Sequence, residues 1–227
     1  MTRWLGCLLL CFSMFAEAAP QSVKAVYQVT RNGQPFAEVT ETFRQVNGRY
    51  TLESITDGIG VYGLFGKRRL YSEGEVTAEG LRPGRFEQQQ GDDAKRSVKA
   101  EFDWSASTLT LTSKGKTRQE KLMPGTQDLA SFAYQFMFVP PQGDLVEMPV
   151  TTGKKLRVYQ LDVVARDVEL ETPSGRFKTL HLINRKESGD DKQLWLGVDR
   201  QYIPVRILMQ DDKGAKIEQV LTGLHVE

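Results

Sequence analysis

Val98-Lys99-Ala100-Glu101-Phe102-Asp103-Trp104 alternates apolar and charged side chains residue by residue. Successive side chains of an extended chain point to opposite faces, so this stretch reads as a strand with one buried face and one wet face. Ile203, Val205, Ile207 and Met209 repeat the pattern beside Pro204, Arg206 and Gln210. Turn dipeptides separate such runs. Asn32-Gly33 and Asn47-Gly48 suit a type I′ hairpin, which needs positive φ at both central residues. Lys114-Gly115, Gly189-Asp190 and Lys213-Gly214 mark further reversals. Strand-turn-strand recurs at short intervals from Val23 to the C-terminus, and consecutive hairpins make antiparallel neighbours. The expected fold is mainly β: a large curled antiparallel meander, an open or half barrel.

One segment departs from period two. Over 126–139, Leu129, Phe132, Ala133, Phe136 and Met137 follow the spacing of an amphipathic helix. Thr126 is the expected N-cap, Asp128 would sit in the first turn, and Pro140-Pro141 would stop the helix. The main helix is therefore expected over 127–138, packed on the sheet and plugging its open side. Phe136 and Met137 either pack in the core or line a ligand cavity.

The N-terminus carries an export signal. Arg3 precedes an apolar run over 5–15, which is shorter than the roughly 20 helical residues needed to span a bilayer. Ala16-Glu17-Ala18 then supplies the small-x-small pattern that a signal peptidase reads. Residues 1–18 are expected to be cleaved, leaving 19–227 as a single β-rich domain in the periplasm. Cys7 and Cys11, the only cysteines, leave with the leader, so the mature chain has neither disulfide nor thiolate ligand. No second apolar stretch reaches membrane-spanning length, so no transmembrane segment is expected in the mature chain.

Charge excludes one class of partner. The chain has 30 basic and 29 acidic residues, and no basic stripe to displace counterions from a nucleic acid. The densest basic run, Lys67-Arg68-Arg69, reads as a solvated strand end. The acidic pairs Asp92-Asp93, Asp190-Asp191 and Asp211-Asp212 sit in turn contexts, where aspartate is favoured for its local backbone bonds.

Catalytic motifs are sparse. There is no G-x-S-x-G elbow and no H-E-x-x-H, and only His181 and His225 offer imidazoles. Gly58-Ile59-Gly60-Val61-Tyr62-Gly63 matches the dinucleotide fingerprint letter for letter. That fingerprint requires a helix directly after it, whose N-terminus takes the pyrophosphate, whereas residues 68–76 alternate like a strand. The glycines instead imply a tight loop presenting Val61, Tyr62, Leu64 and Phe65. These side chains could form a lid, touch a membrane or pack over the end of the sheet. No cofactor and no metal is expected.

Five ordered strings carry a family likeness. They are Gly80-Leu81-Arg82-Pro83 with Phe86, then 100–104, then Gln127-Asp128-Leu129-Ala130-Ser131-Phe132, then Thr172-Pro173-Ser174-Gly175 leading to Thr179-Leu180-His181-Leu182, and last Leu194-Trp195-Leu196 through Tyr202-Ile203-Pro204-Val205-Arg206. Together they resemble an exported bacterial family filed as domain of unknown function 3108. The resemblance implies an envelope location and no catalytic residues. The general plan also looks like that of the periplasmic lipoprotein carriers, a likeness of fold only. Phe102, Trp104, Trp195 and Ile203 are the expected core anchors. Arg82 and Arg206 are expected to bond acids or strand-end carbonyls.

The leading functional expectation is a non-enzymatic envelope protein that binds an apolar or amphipathic, lipid-like ligand. Tyr62, Leu64, Phe65, Phe136 and Met137 are the candidate contacts. The alternative is a scaffold that recruits another envelope protein, and an unrecognised enzyme ranks third. N-terminal sequencing of protein recovered from the envelope should begin at Ala19; a start at Met1 or Leu5 would refute the leader.

Overall fold

The computed structural model describes residues 19–91, 97–185, 191–210 and 214–227. The expected leader, the Gly189-Asp190 turn, and the pairs Asp92-Asp93 and Asp211-Asp212 lie outside the described residues. Among the described residues, fifteen strands form a single sheet. The N-terminal half comprises β1 (Ser22–Arg31), β2 (Gln34–Val46), β3 (Arg49–Gly58), β4 (Arg68–Thr77), β5 (Gly80–Gln90), β6 (Val98–Asp103), β7 (Thr108–Ser113) and β8 (Lys116–Lys121). The C-terminal half comprises β9 (Gln127–Asp128), β10 (Leu145–Thr151), β11 (Leu156–Thr172), β12 (Gly175–Asn184), β13 (Lys192–Gly197), β14 (Ile203–Gln210) and β15 (Lys216–Val226).

The meander starts at the middle of the sheet. From β1 the chain steps outward to β8, crosses to β9 at the opposite edge, and steps back until β15 pairs with β1. Every pairing is antiparallel except β9 with β10, the one made by the crossover. Asn32, Gly33, Asn47 and Gly48 all adopt positive φ (51°, 79°, 51° and 73°), as the type I′ reading requires.

Strand pairing does not close the sheet; contacts between its two wings and the crossover bridge the gap. Arg118 on β8 donates to the Lys154 carbonyl at 2.7 Å, drawing the two edges together. Gly153 lies against the inner face of the opposite wing, where a Cβ would sit 3.0 Å from Val98. The Leu81 amide donates to Gln135 Oε1 (2.6 Å), and Gln135 Nε2 donates to the Glu79 carbonyl (2.9 Å).

The helix is shorter than its periodicity implies. Gln127 and Asp128 are extended, because they pair with Val150 and Thr151 of β10. One α-turn follows, α1 (Ser131–Tyr134), and then a 3-10 turn at Gln135–Met137. Thr126 does not cap it; its hydroxyl donates to the Met123 carbonyl at 2.6 Å. Asp128 takes the capping role, accepting from the amides of Ala130 and Ser131, both at 2.9 Å. The apolar spacing still decides the packing. Phe132 and Phe136 enter one buried cluster with Met148, Tyr159 and Leu194. Tyr134 and Met137 enter another with Tyr27, Phe43, Tyr50 and Phe86. Removing a buried phenylalanine of this kind costs about 3–5 kcal/mol.

Phe102, Trp195 and Ile203 are buried as expected, but Trp104 is only half-buried. The β6–β7 ladder ends at Asp103 and Thr108, which leaves Trp104 to open the turn. Its indole donates to the Pro83 carbonyl at 2.7 Å, and the Arg82 guanidinium stands 5.1 Å from its ring centre. Arg82 also pairs with Glu75, and Arg206 with Glu218, so both arginines do meet acids.

Asp128 is fully buried and is the most connected of the crossover residues. Its second carboxylate oxygen accepts from Ser72, whose hydroxyl bonds Tyr50 at 2.9 Å. Burial raises its pKa from 3.8 to about 6, against the lowering effect of these donors. The folded state therefore keeps this proton to higher pH than the unfolded chain. The resulting stabilisation is complete below about pH 3.8 and is lost as pH rises through 6; it amounts to about 3 kcal/mol. Asparagine can accept the same two amide bonds and donate to Ser72. Urea melts of Asp128→Asn should therefore gain stability on wild type between pH 4 and pH 8. Parallel pH profiles for the two proteins would contradict this account of the buried carboxyl.

Candidate functional site

The glycine-rich segment joins β3 to β4 as a 3-10 turn, Gly60–Phe65. No helix of the kind a pyrophosphate needs follows it, because β4 runs directly back along β3. Its glycines answer to close approach. A Cβ on Gly58 would lie 2.5 Å from the Tyr62 carbonyl carbon, and one on Gly63 would lie 3.0 Å from the Gly58 oxygen. The turn is folded hard onto the end of its own strand, and only glycine at position 58 permits that.

Tyr62 points back toward the sheet and meets Phe36 edge-on, with ring centres 4.6 Å apart. Val61 and Leu64 are exposed at 69% and 86%, which puts them on the outer side of the turn. Phe65 belongs to the turn, but its side chain lies outside the described set. Phe136 and Met137 are not near this turn; they are buried in the two core clusters. Of the five candidates, then, Tyr62, Leu64 and Phe65 share one structure, and the two helix residues belong to another.

Beneath the turn lies a cavity of about 470 Å³, lined by Phe36, Ala37, Thr56, Gly58, Tyr62, Gly66, Arg68 and Gln90. Its size falls within the roughly 300–1,000 Å³ of small-molecule sites. Register explains the lining. Thr56 on β3 faces Arg68 on β4, which faces Gln90 on β5, so three neighbouring strands present one row to the same space.

Arg68 overturns the reading of 67–69 as a solvated strand end. Lys67 pairs with exposed Asp57 at 2.8 Å, and Arg69 pairs with Glu53. Arg68, between them, alternates to the inner face. Its Nη2 donates to Gln88 at 2.9 Å, while its buried Nε has no hydrogen-bond partner. Burial holds the guanidinium below its ordinary pKa, though arginine keeps its charge in proteins. Sequence reasoning missed Phe36, Ala37, Thr56, Arg68 and Gln90. The signal for Arg68 was present, because Leu70, Ser72 and Gly74 mark the inner parity of β4.

Further along the inner face, Glu41 accepts from Tyr134 at 2.9 Å and Ser54 at 3.2 Å. Burial raises its carboxyl pKa. A larger concavity of about 720 Å³ lies on the outer face. It is lined by both charge signs, Arg49, Arg82 and Arg85 among Glu75, Glu101 and Asp103. His181 stacks on Trp195 at 4.1 Å and bonds Gln193 at 3.0 Å, while His225 is exposed beside Glu227. Among the described residues, no three His, Cys, Asp or Glu side chains gather where they could hold a metal ion. Nor is any helix among them long and apolar enough to cross a membrane.

Among solved structures, a β-barrel-like protein of the DUF1849 domain from Brucella abortus is similar over 92% of this chain and 98% of its own, with a TM-score of 0.60 and 10% identity. It shows the same fold. A MucA/MucB complex from Pseudomonas aeruginosa aligns at TM-score 0.40, with 14% identity over 90% of this chain and 51% of its own. A LolA superfamily protein from Nitrosomonas europaea aligns at TM-score 0.20, with 11% identity over 91% of this chain and 85% of its own. Neither score extends the likeness beyond the first. Curated proteins provide no match to the sequence. Residues 26–222 match the family described as "Protein of unknown function (DUF3108)". That span covers most of the chain, and the chain belongs to the DUF3108 family.

Proposed function

We propose that this protein is a non-enzymatic binding protein of the cell envelope, holding an apolar or amphipathic small molecule beneath the turn at 60–65. The cavity of about 470 Å³ carries this reading, because its walls combine two aromatic rings with only a few polar groups. Those polar groups are two hydroxyls, an amide and a guanidinium, from Thr56, Tyr62, Gln90 and Arg68. They suit holding a polar head. The envelope location rests on the leader read from residues 1–18. The terminal strand β8 argues against the scaffold alternative. It presents Lys116, Arg118, Glu120 and Lys121, and charges on an edge disfavour pairing with another chain.

The site can be tested by filling it. Thr56→Phe places a ring in the cavity. Dodecanol should displace Nile red from the wild-type protein saturably, and Thr56→Phe should weaken this at least tenfold while the protein still unfolds cooperatively. Equal affinity in the two proteins would place binding elsewhere. Gly58→Ala forces a Cβ into the Tyr62 backbone and should shift the turn. Affinity should change while the protein still unfolds cooperatively, since the cluster around Phe132 and Phe136 contains none of the cavity lining. Unchanged affinity in a variant whose Tyr62 ring resonances do shift would show that the turn does not roof the site.

A further inference from the structure

The three consecutive cations at 67–69 are partnered unequally. Lys67 and Arg69 each hold an acid, whereas Arg68 lines the cavity with no ion-pair partner among the described residues. A guanidinium taken out of water is costly unless an opposite charge meets it. Here a glutamine carbonyl meets one nitrogen, and the Nε lacks an acceptor. Thr56 and Gln90 flank it in the same row, so the polar groups of the cavity are concentrated in one line across three strands. Phe36, Ala37 and Tyr62 supply apolar wall. The cavity thus has a polar row with one cation at its centre, set against an apolar surface.

We propose that the cavity takes a single-chain amphiphile with an anionic head, its chain against Phe36, Ala37 and Tyr62 and a head oxygen accepting from Arg68. This rests on the binding reading above and names the ligand class. A carboxylate or a phosphate head would supply both the missing charge and an acceptor for the guanidinium. A neutral head would supply the acceptor only, and would leave the charge uncompensated.

The test compares dodecanoate, dodecyl phosphate and dodecanol, three ligands with one chain and different heads, by displacement of Nile red. A charge-assisted bond to a desolvated guanidinium should make at least one anionic ligand bind about tenfold tighter than dodecanol. Whichever anion binds tighter identifies the head as carboxylate or phosphate. Arg68→Met keeps the apolar stem and removes the cation; within that variant the two anions should bind no tighter than dodecanol. Wild-type protein that binds all three equally would overturn the anionic head and leave the binding site standing. A preference that survives in Arg68→Met would also overturn it. Absence of saturable binding by any of the three would overturn this inference together with the reading beneath it.

Discussion

A single buried carboxylate, that of Asp128, ties together the parts that strand pairing leaves apart. A meander whose outermost strands are β8 and β9 has two free edges, and hydrogen-bond ladders do not join them. The crossover between the edges does that work. Asp128 accepts the first amides of α1 with one oxygen and Ser72 with the other, which binds the plug to the floor of the opposite wing. Gln135 then fixes the β4–β5 turn from the far side of the same plug. Burying a carboxyl is expensive unless each oxygen is bonded, and here both are. With the plug seated, Phe132, Tyr134, Phe136 and Met137 fill the two clusters that make the core.

The same arrangement creates the cavity. Tyr134 carries the plug's bonds along the inner face as far as Glu41, which Ser54 also bonds, while Thr56 lies two residues further along β3. At about 3.3 Å per residue this is roughly 7 Å past the last strand position the plug ties down. That end of the inner face is left to the strands' own side chains and to the turn at 60–65. The fold therefore fills the middle of the curled sheet with the plug and leaves the space beneath the turn at 60–65 hollow. Among the described residues, the cover there is a turn held down by the close approach at Gly58.

Much of this was legible in the sequence. Alternation at 98–104 and the two Asn-Gly pairs lead to the antiparallel meander, because period two and positive φ are local properties. The crossover was legible as the one break in the pattern, but its length was not. Helical spacing records which side chains are apolar, and it cannot see that β10 captures Gln127 and Asp128 as a strand. Trp104 misled for a similar reason: alternation marks it as inward, yet its ladder ends one residue earlier. For the site, Tyr62 was found through the glycines around it, whereas Leu64 stands on the outer side of the turn. Thr56, Arg68 and Gln90 come together only through register across three strands, which no local pattern encodes.

The claim that the hollow beneath the turn is a binding site is tested most directly by mapping a ligand onto the backbone. Amide resonances of the isotope-labelled protein, titrated with dodecanoate, would report where the ligand sits. The account predicts saturable shifts concentrated at Ala37, Thr56, Gly58, Tyr62, Gly66, Arg68 and Gln90, with the amides of α1 and β9 unmoved. Shifts centred on the outer trough around Arg82 and Trp104, or no saturable shift at millimolar ligand, would contradict it.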